Sequence, residues 1–441
     1  MSVSSALLPL SGGRLGPWSR LLGLACSPVV AALVWWFHPQ NMSHPAGALL
    51  ALLAGTLVLW LTEALPVAVT ALASPALGVL LGIASVEQMF APFAHPTVLL
   101  FFGVSVWFQA AKWRRLDRAL ASQILPEAST TIYGLLRAIA MATGALSALA
   151  SSRSVAALML PVVDKDSAHH GLRYHRLGLL SVSWCAAFGS VATAIGAPAN
   201  LAALAALAQY DGREVPLLYW SLIAMPVAVS LLLLWLGWIR WLLGPLGARE
   251  VYGELRNQRR QRSPTTAALK VADTVPFAMG LDRGQFAIAV VGIFCAILWS
   301  LPGVASLIFG VESVQAQTLA DRLPPAVIAL LAVSALFVMP VGQKTGALTR
   351  DRPQTVLSWE HVRGIDWDLF FLLGCGLALG HQTVDTGLAR WLGHLAIKGF
   401  ALHSEVSLTL AMVGLALMLT QFASDTVCAA VLCPLAVVAS Q

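Results

Sequence analysis

Charge is what this sequence has least of. Aspartate, glutamate, lysine and arginine make up 11% of its 441 residues, against about 25% in soluble domains. With 58% hydrophobic residues, the chain lacks the polar surface to cover a water-soluble body of this length, and it reads as an integral membrane protein. Strict apolar–polar alternation is also missing, which excludes an outer-membrane barrel, and the apolar runs are long enough for helices. The start, "MSVSSALLPLSGGRLGPWSR", lacks the charged, apolar and small-residue sections of a cleavable signal peptide. Cysteine is scarce. The six cysteines all lie in apolar runs without metal-type spacing, so they read as small packing residues and no metal centre is expected. No phosphate-binding loop is present, and no Ser–His or Asp–Asp constellation falls at a plausible depth, which argues against an enzyme.

What is there is a series of apolar runs. A crossing needs about 20 residues, and spans are read at 20–38, 46–63, 66–84, 94–111, 177–208, 216–243, 284–301, 323–341 and 366–384. Two further runs, 132–163 and 404–440, are each broken by a polar tripeptide. Each reads as two half-helices meeting at a tip, a re-entrant hairpin of the kind tolerated only where protein or a water-filled cavity satisfies the backbone. With the N-terminus in the cytoplasm and both hairpins returning to their side of entry, 21 of the 27 lysines and arginines fall inside and 4 outside. The remaining two, Arg137 and Arg153, lie within the first hairpin. That is a strong positive-inside bias, and reading either hairpin as a full span would invert everything after it. The densest basic segment, residues 249–270, is then a cytoplasmic loop, with no nucleic-acid partner implied. Trp35, Trp36, Trp113, Trp220, Trp241, Trp367 and Trp391 lie near span ends, as an interfacial aromatic belt.

The chain also repeats itself. "LPVAVTALASPALGV" from Leu65 parallels "LPPAVIALLAVSALFV" from Leu323, at an offset of 258. "TVLLFFG" ending at Gly103 parallels "DLFFLLG" ending at Gly374, Ser152 parallels Ser424, and Pro161 parallels Pro434, at offsets of 271, 272 and 273. By the charge-derived topology the two copies start on opposite sides. Inverted-topology repeats with interrupted helices are the mark of secondary transporters, in which cargo and coupling ions sit near the midplane at broken helix ends.

Several motifs carry a resemblance. "WLTEALPVAVTAL" (60–72), "WDLFFLLGCGLALG" followed by "TGLARWLG" (367–393), and "ATAIGAPANL" (192–201), together with the two hairpin tips, resemble the signatures of the divalent anion:sodium symporter family. That family carries dicarboxylates, citrate or sulfate, usually with sodium. The resemblance runs from about residue 24 to the C-terminus. It implies an all-α polytopic fold of inverted repeats with two re-entrant hairpins and broken helices, assembled as a homodimer and working by an elevator mechanism. The implied layout is scaffold spans at 1–93, a scaffold span and interfacial helix at 94–118, and the first hairpin and unwound span of the transport domain at 119–215. A span and basic linker follow at 216–283, second-repeat scaffold spans at 284–365, a span and interfacial helix at 366–403, and the second hairpin at 404–441.

By the same resemblance the substrate contacts are Ser152, Arg153, Ser154, Ser424, Asp425, Thr426 and Pro198. The cation ligands are Ser152, Gly196, Ala197, Asn200, Ser424 and Thr426. The chemistry suits these positions: sodium takes oxygens from hydroxyls, amides and unwound carbonyls, and a carboxylate takes amide donors at half-helix N-termini. Gly196 and Pro198 interrupt a span and expose carbonyls that a helix would consume.

The chain departs from the family pattern at its tips. The family's central asparagine is replaced by Arg153 in Ser152-Arg153-Ser154 and by Asp425 in Ser424-Asp425-Thr426. The chain stops at Gln441, where the family continues for two more spans, so it reads as truncated at its C-terminus. A charge at membrane depth costs about 3 kcal/mol or more and faces a cavity or partner. Three readings of Arg153 stand side by side: a fixed surrogate for the first sodium that also contacts substrate, a partner of Asp425 across the pseudo-two-fold, or a snorkelling residue in a degenerate site. The function expected is secondary active transport of small divalent anions across a cell inner membrane, with no cofactor other than sodium as a candidate bound ion and with sodium coupling in question. A proton-coupled or exchange-type antiporter and an inactive remnant are the alternatives. The lipid bilayer, a small anion and a second copy of the chain are the expected partners, with the N-terminus cytoplasmic. Of the remaining charges, Glu63 reads as a structural cap at a span end, Asp366 and Asp368 as carboxylates at a helix start, and His381 with Asp385 as a candidate proton relay.

Overall fold

The computed structural model describes residues 17–39, 42–116, 119, 131–149, 151–210, 215–244, 281–311, 313–341, 355–392, 405–421 and 425–439. Regular structure among these is helical, apart from one isolated bridge between Pro340 and Thr355. The helices are α1 Pro17–Trp36, α2 His44–Leu61, α3 Val67–Leu80, α4 Val86–Phe90 with a 3-10 turn at Ala91–Ala94, and α5 Pro96–Trp113. Then come α6 Ile132–Leu149, α7 Ser152–Val191, α8 Pro198–Tyr210, α9 Leu217–Leu243, α10 Arg283–Phe309 and α11 Val314–Arg322. The series closes with α12 Pro325–Val338, α13 Trp359–Val362, α14 Trp367–Asp385, α15 Glu405–Leu419 and α16 Asp425–Ala439.

Four of these, α2, α6, α9 and α10, are long and apolar enough to cross a membrane alone. Two bent pairs are long and apolar enough when each is taken together, as a broken span or a re-entrant turn: Val86–Ala94 with α5, and α11 with α12, each bent by 41°. The expected spans 66–84 and 323–341 are realised as helices of only 14 residues, α3 and α12. At 1.5 Å per residue each covers about 21 Å, less than the bilayer core. On α9 and α10 only 22% and 28% of the most apolar window is buried. Ile223, Leu233, Leu234, Ile293, Phe294, Leu307 and Ile308 point outward, and such a surface is stable only against lipid. The protein is a multi-pass membrane protein.

The chain divides into two units, described here separately. One comprises Met1–Val98, Ala202–Glu214 and Asp366–Gln441. Its core joins Leu49 and Leu52 of α2, Met89 of α4, Leu372, Cys375 and Leu379 of α14, and Val427 of α16. α3 lies along α14, and the Asp368 Oδ1 accepts the Ala68 N–H at 3.3 Å. α3 begins on Pro66, which offers no side-chain cap, so a carboxylate from the next helix serves one of its orphan N–H groups.

The other unit comprises Leu99–Leu201 and Val215–Ile365 and has two cores. In one, Leu136 and Ile139 of α6 pack with Met159, Val163, Tyr174 and Val182 of α7 and with Ile239 of α9. In the other, Val106 of α5 packs with Ile288 of α10 and with Ile328 and Leu336 of α12. A Cβ on Gly103 would stand 2.8 Å from the Ala329 Cβ, so α5 and α12 cross closely. The repeat is visible here: α3 and α12 both have 14 residues and start at positions 258 apart, and α5 corresponds to α14. Each short helix packs on the long helix of the opposite half, α3 on α14 and α12 on α5.

α7 differs from expectation. Helical hydrogen bonding is continuous across 164–176, the stretch between the first hairpin, 132–163, and the span read at 177–208, which the positive-inside reading makes a cytoplasmic loop. Yet the His175 Nε2 lies 2.8 Å from the Asp164 Oδ1, eleven residues earlier, and Gly178 abuts Val163. A straight helix would separate such residues by about 16 Å. The chain therefore turns back between them, and Ser152–Val163 is the second arm of the first hairpin.

Two local features anchor span ends. At the end of α2, Glu63 has φ +46°, its N–H bonds the Trp60 carbonyl at 3.3 Å, and the Ala64 N–H bonds the Leu59 carbonyl at 3.3 Å. This is a Schellman cap with glutamate in the left-handed position that glycine usually fills, at a cost of roughly 1 kcal/mol. Beside α5, the His361 ring lies 4.0 Å from that of Trp113, and its Nδ1 accepts the Ser358 N–H at 3.1 Å. Burial and then the nearby Arg114 hold His361 below its ordinary pKa of 6.5, against the opposing pull of Glu360.

Glu63→Gly is expected to hold or raise the unfolding temperature in detergent, and Glu63→Val to lower it; the reverse ranking removes the cap assignment. His361 is neutral in the fold, so its contribution is complete above pH 6.5 and declines as pH falls through its lower folded value. His361→Gln should flatten stability against pH across that window. An unchanged slope would show that other groups carry it.

Candidate functional site

The first hairpin tip is a capped helix start. α6 ends at Leu149, and Ser151 holds extended backbone while its Oγ accepts the Ser154 N–H at 3.3 Å. The Ser151 and Ser154 hydroxyls also lie 3.1 Å apart. Ser152, Arg153 and Ser154 therefore form the first turn of α7 rather than an unwound tripeptide. Ser151 makes the break because a serine oxygen serves the orphan N–H groups of a first turn. Ser152 is half-buried, while Arg153 and Ser154 are exposed.

Beside this tip lies the interrupted span. α7 ends at Val191, residues 192–197 are unwound, and α8 begins on Pro198, where proline's missing N–H costs nothing. The Asn200 side chain spans the break. Its Nδ2 donates to the carbonyls of Ser190 and Thr193, both at 2.9 Å. Gly196 is buried, and a Cβ there would stand 2.4 Å from the Ser190 oxygen. Only glycine permits that approach, and Ala197 follows half-buried.

Three contacts tie the interrupted span to the hairpin. The Thr193 hydroxyl donates to the Ala148 carbonyl. The Ser147 hydroxyl donates to the Ala186 carbonyl at 2.6 Å. A Cβ on Gly189 would stand 2.1 Å from the Gly144 oxygen, so the two backbones touch. The arm that leads to the tip, residues 144–148, and the end of α7 with the start of the break, residues 186–193, thus form one packed assembly.

Asn200 has a structural role of its own. As a cation ligand it would offer oxygen; its nitrogen is what the fold uses, on the Ser190 carbonyl at the end of α7 and on the Thr193 carbonyl, which also accepts the Gly196 N–H at 3.2 Å. Its Oδ1 has no hydrogen bond among the described residues. Ser147, Ser151 and Thr193 were missed as contributors. The signal for Ser151 was its place three residues before Ser154, the spacing of a side-chain cap.

The second tip belongs to the other unit. Ser424 lies outside the described residues. Asp425 opens α16 and is exposed, where the helix dipole favours a carboxylate. Thr426 is buried, beside Val427, which packs in the core of α14. His381 and Asp385 form an exposed i,i+4 pair at 2.7 Å on α14. Ser154 also borders a cavity of about 680 Å³ that reaches the ends of α5 and α10 at Lys112 and Asp282.

A family model described as citrate transporter matches residues 57–441. A sodium-dependent dicarboxylate transporter, SdcS, of Staphylococcus saprophyticus is 23% identical over 429 residues, covering 94% of this chain and 77% of that protein. The Staphylococcus aureus protein of the same name is 24% identical over 408 residues, covering 89% and 72%.

Asn200→Asp is expected to turn two donated bonds into carbonyl–carboxylate repulsion. It should destabilise by about 3 kcal/mol, more than Asn200→Ala, which loses only the bonds at about 1 kcal/mol each. Thermal unfolding of both variants checks the order, and an aspartate variant as stable as the parent would refute the clamp.

Proposed function

The chain belongs to the citrate transporter family, and on that premise we propose that it is a secondary active carrier of small di- or tricarboxylate anions, with sulfate as a further candidate. The observation that carries the reading is the joining of two helix interruptions in one packed assembly. The capped tip at Ser151 and the unwound 192–197 segment are bound through Thr193 to the Ala148 carbonyl. Two helix N-termini begin there, at Ser152 and Pro198. N-terminal N–H groups and their dipoles suit carboxylate, and unwound carbonyls with serine hydroxyls suit a small cation.

In this reading the cavity from Ser154 to Lys112 and Asp282 is the path to the cytoplasm, since both residues lie in segments that the charge bias puts inside. The two hairpins form the moving part of an elevator in a homodimer, in a cell inner membrane with the N-terminus cytoplasmic. No chemical conversion of the cargo is part of the scheme. Relatives are named as sodium-dependent, but Arg153 occupies the first turn of α7 where the family signature carries asparagine. A guanidinium there brings a permanent positive charge and no oxygen ligand. This favours a second element of the reading: transport with little sodium dependence at the first tip.

The test is uptake of labelled succinate, citrate and sulfate into proteoliposomes with and without sodium. At least one anion is expected to accumulate, with weak sodium dependence, and Arg153→Asn is expected to make uptake sodium-stimulated. Failure to carry any of the three sinks the carrier reading. Sodium-driven uptake that Arg153→Asn leaves unchanged sinks only the surrogate-cation element.

A further inference from the structure

The cavity beside the first hairpin has a composition that the tip alone does not require. Its volume of about 680 Å³ falls within the roughly 300–1,000 Å³ of small-molecule sites. One wall is the second hairpin arm, with Ser154, Ala157 and Leu158 spaced to share a helix face. The facing wall is the end of α5, with Lys112, Arg114 and Arg115, and Asp282 stands at the start of α10.

These charges are not equivalent. Arg114 is committed to structure: its Nε and Nη2 donate to the Val356 and Thr355 carbonyls at 3.2 and 2.9 Å. Asp282 accepts the Gln285 N–H at 2.7 Å, and the Gln285 side chain returns a bond to the Asp282 N–H and donates to the Arg114 carbonyl at 2.8 Å. The wall is therefore braced from behind. Lys112 and Arg115 are exposed, and no ion pair engages either of them among the described residues. Arg115 has φ +55°. A helix that ends in this left-handed position normally uses glycine, and arginine there costs roughly 1 kcal/mol. The inside bias and the α5 dipole account for positive charge at this end. They do not account for a cavity that places those cations opposite the hairpin arm.

We propose that Lys112 and Arg115 form a second anion site at the end of α5, across the cavity from the first turns of α7, which holds a small di- or tricarboxylate on these two cations. The ligand class rests on the carrier reading. Cations on the wall of a partly enclosed cleft raise the local anion concentration, and two donors on one helix end can each take a carboxylate oxygen. Asp282 opposes them and weakens the site.

The experiment reads occupancy without transport. Ala157, exposed on the hairpin wall, is replaced by cysteine in the full-length protein in detergent, with the unsubstituted protein as the background for native cysteines. Labelling by an anionic thiosulfonate should exceed labelling by a neutral one by about tenfold, and Lys112→Gln with Arg115→Gln should abolish that preference. Millimolar succinate should slow labelling in the Ala157→Cys protein, more so with Asp282→Asn, which retains the cap. It should not slow labelling in the triple variant. Labelling indifferent to reagent charge overturns the proposal, as does succinate protection that survives loss of both cations. Uptake by the unsubstituted protein is measured in parallel. An absence of carboxylate transport with intact, cation-dependent protection removes the carrier reading and leaves the anion site standing.

Discussion

A backbone amide in hydrocarbon must find its partner within the protein. The described site is organised by that demand. Where α7 stops at Val191, Asn200 donates to the Ser190 carbonyl and to that of Thr193 in the break, which the Gly196 N–H also serves. Where α7 starts, Ser151 serves an exposed N–H. Where α3 starts without a cap of its own, Asp368 reaches over from α14. An interruption is tolerated because a side chain answers it, and the same interruption leaves polar groups for an ion or anion to use. Stability and chemistry thus draw on one inventory of atoms, and Asn200 divides its amide accordingly: nitrogen to the fold, oxygen unclaimed.

The repeat gives the interruptions their setting. α3 and α12 are too short to cross alone, and each is completed by packing on a long helix from the other half. That exchange makes neither half a self-sufficient domain. The packing relies on small residues, Gly103 against Ala329, because in lipid close van der Waals contact replaces the hydrophobic drive between helices.

Much of this was legible in the sequence, and the exceptions have physical causes. The spans read at 216–243 and 366–384 appear as Leu217–Leu243 and Trp367–Asp385, because long apolar runs bounded by proline or aspartate admit few alternatives. The family resemblance read from the 60–72, 192–201 and 367–393 motifs agrees with the family match over residues 57–441. The loop at 164–176 did not appear as a loop. Its polar residues form helical hydrogen bonds well enough, and only the contacts of Val163 and Asp164 with Gly178 and His175 reveal the reversal. The break falls one residue before the Ser152-Arg153-Ser154 tripeptide, since the cap depends on the Ser151 hydroxyl and not on the charge at Arg153. Which atom of Asn200 works, and that α5 ends on a strained arginine, depend on backbone torsions that composition and spacing do not encode.

The contact of Gly144 with Gly189 has a mechanical meaning. Two main chains lie in van der Waals contact with no side chain between them. The first hairpin and the broken span behind it are joined main chain to main chain, so a side chain at Gly189 would pry both elements apart at once.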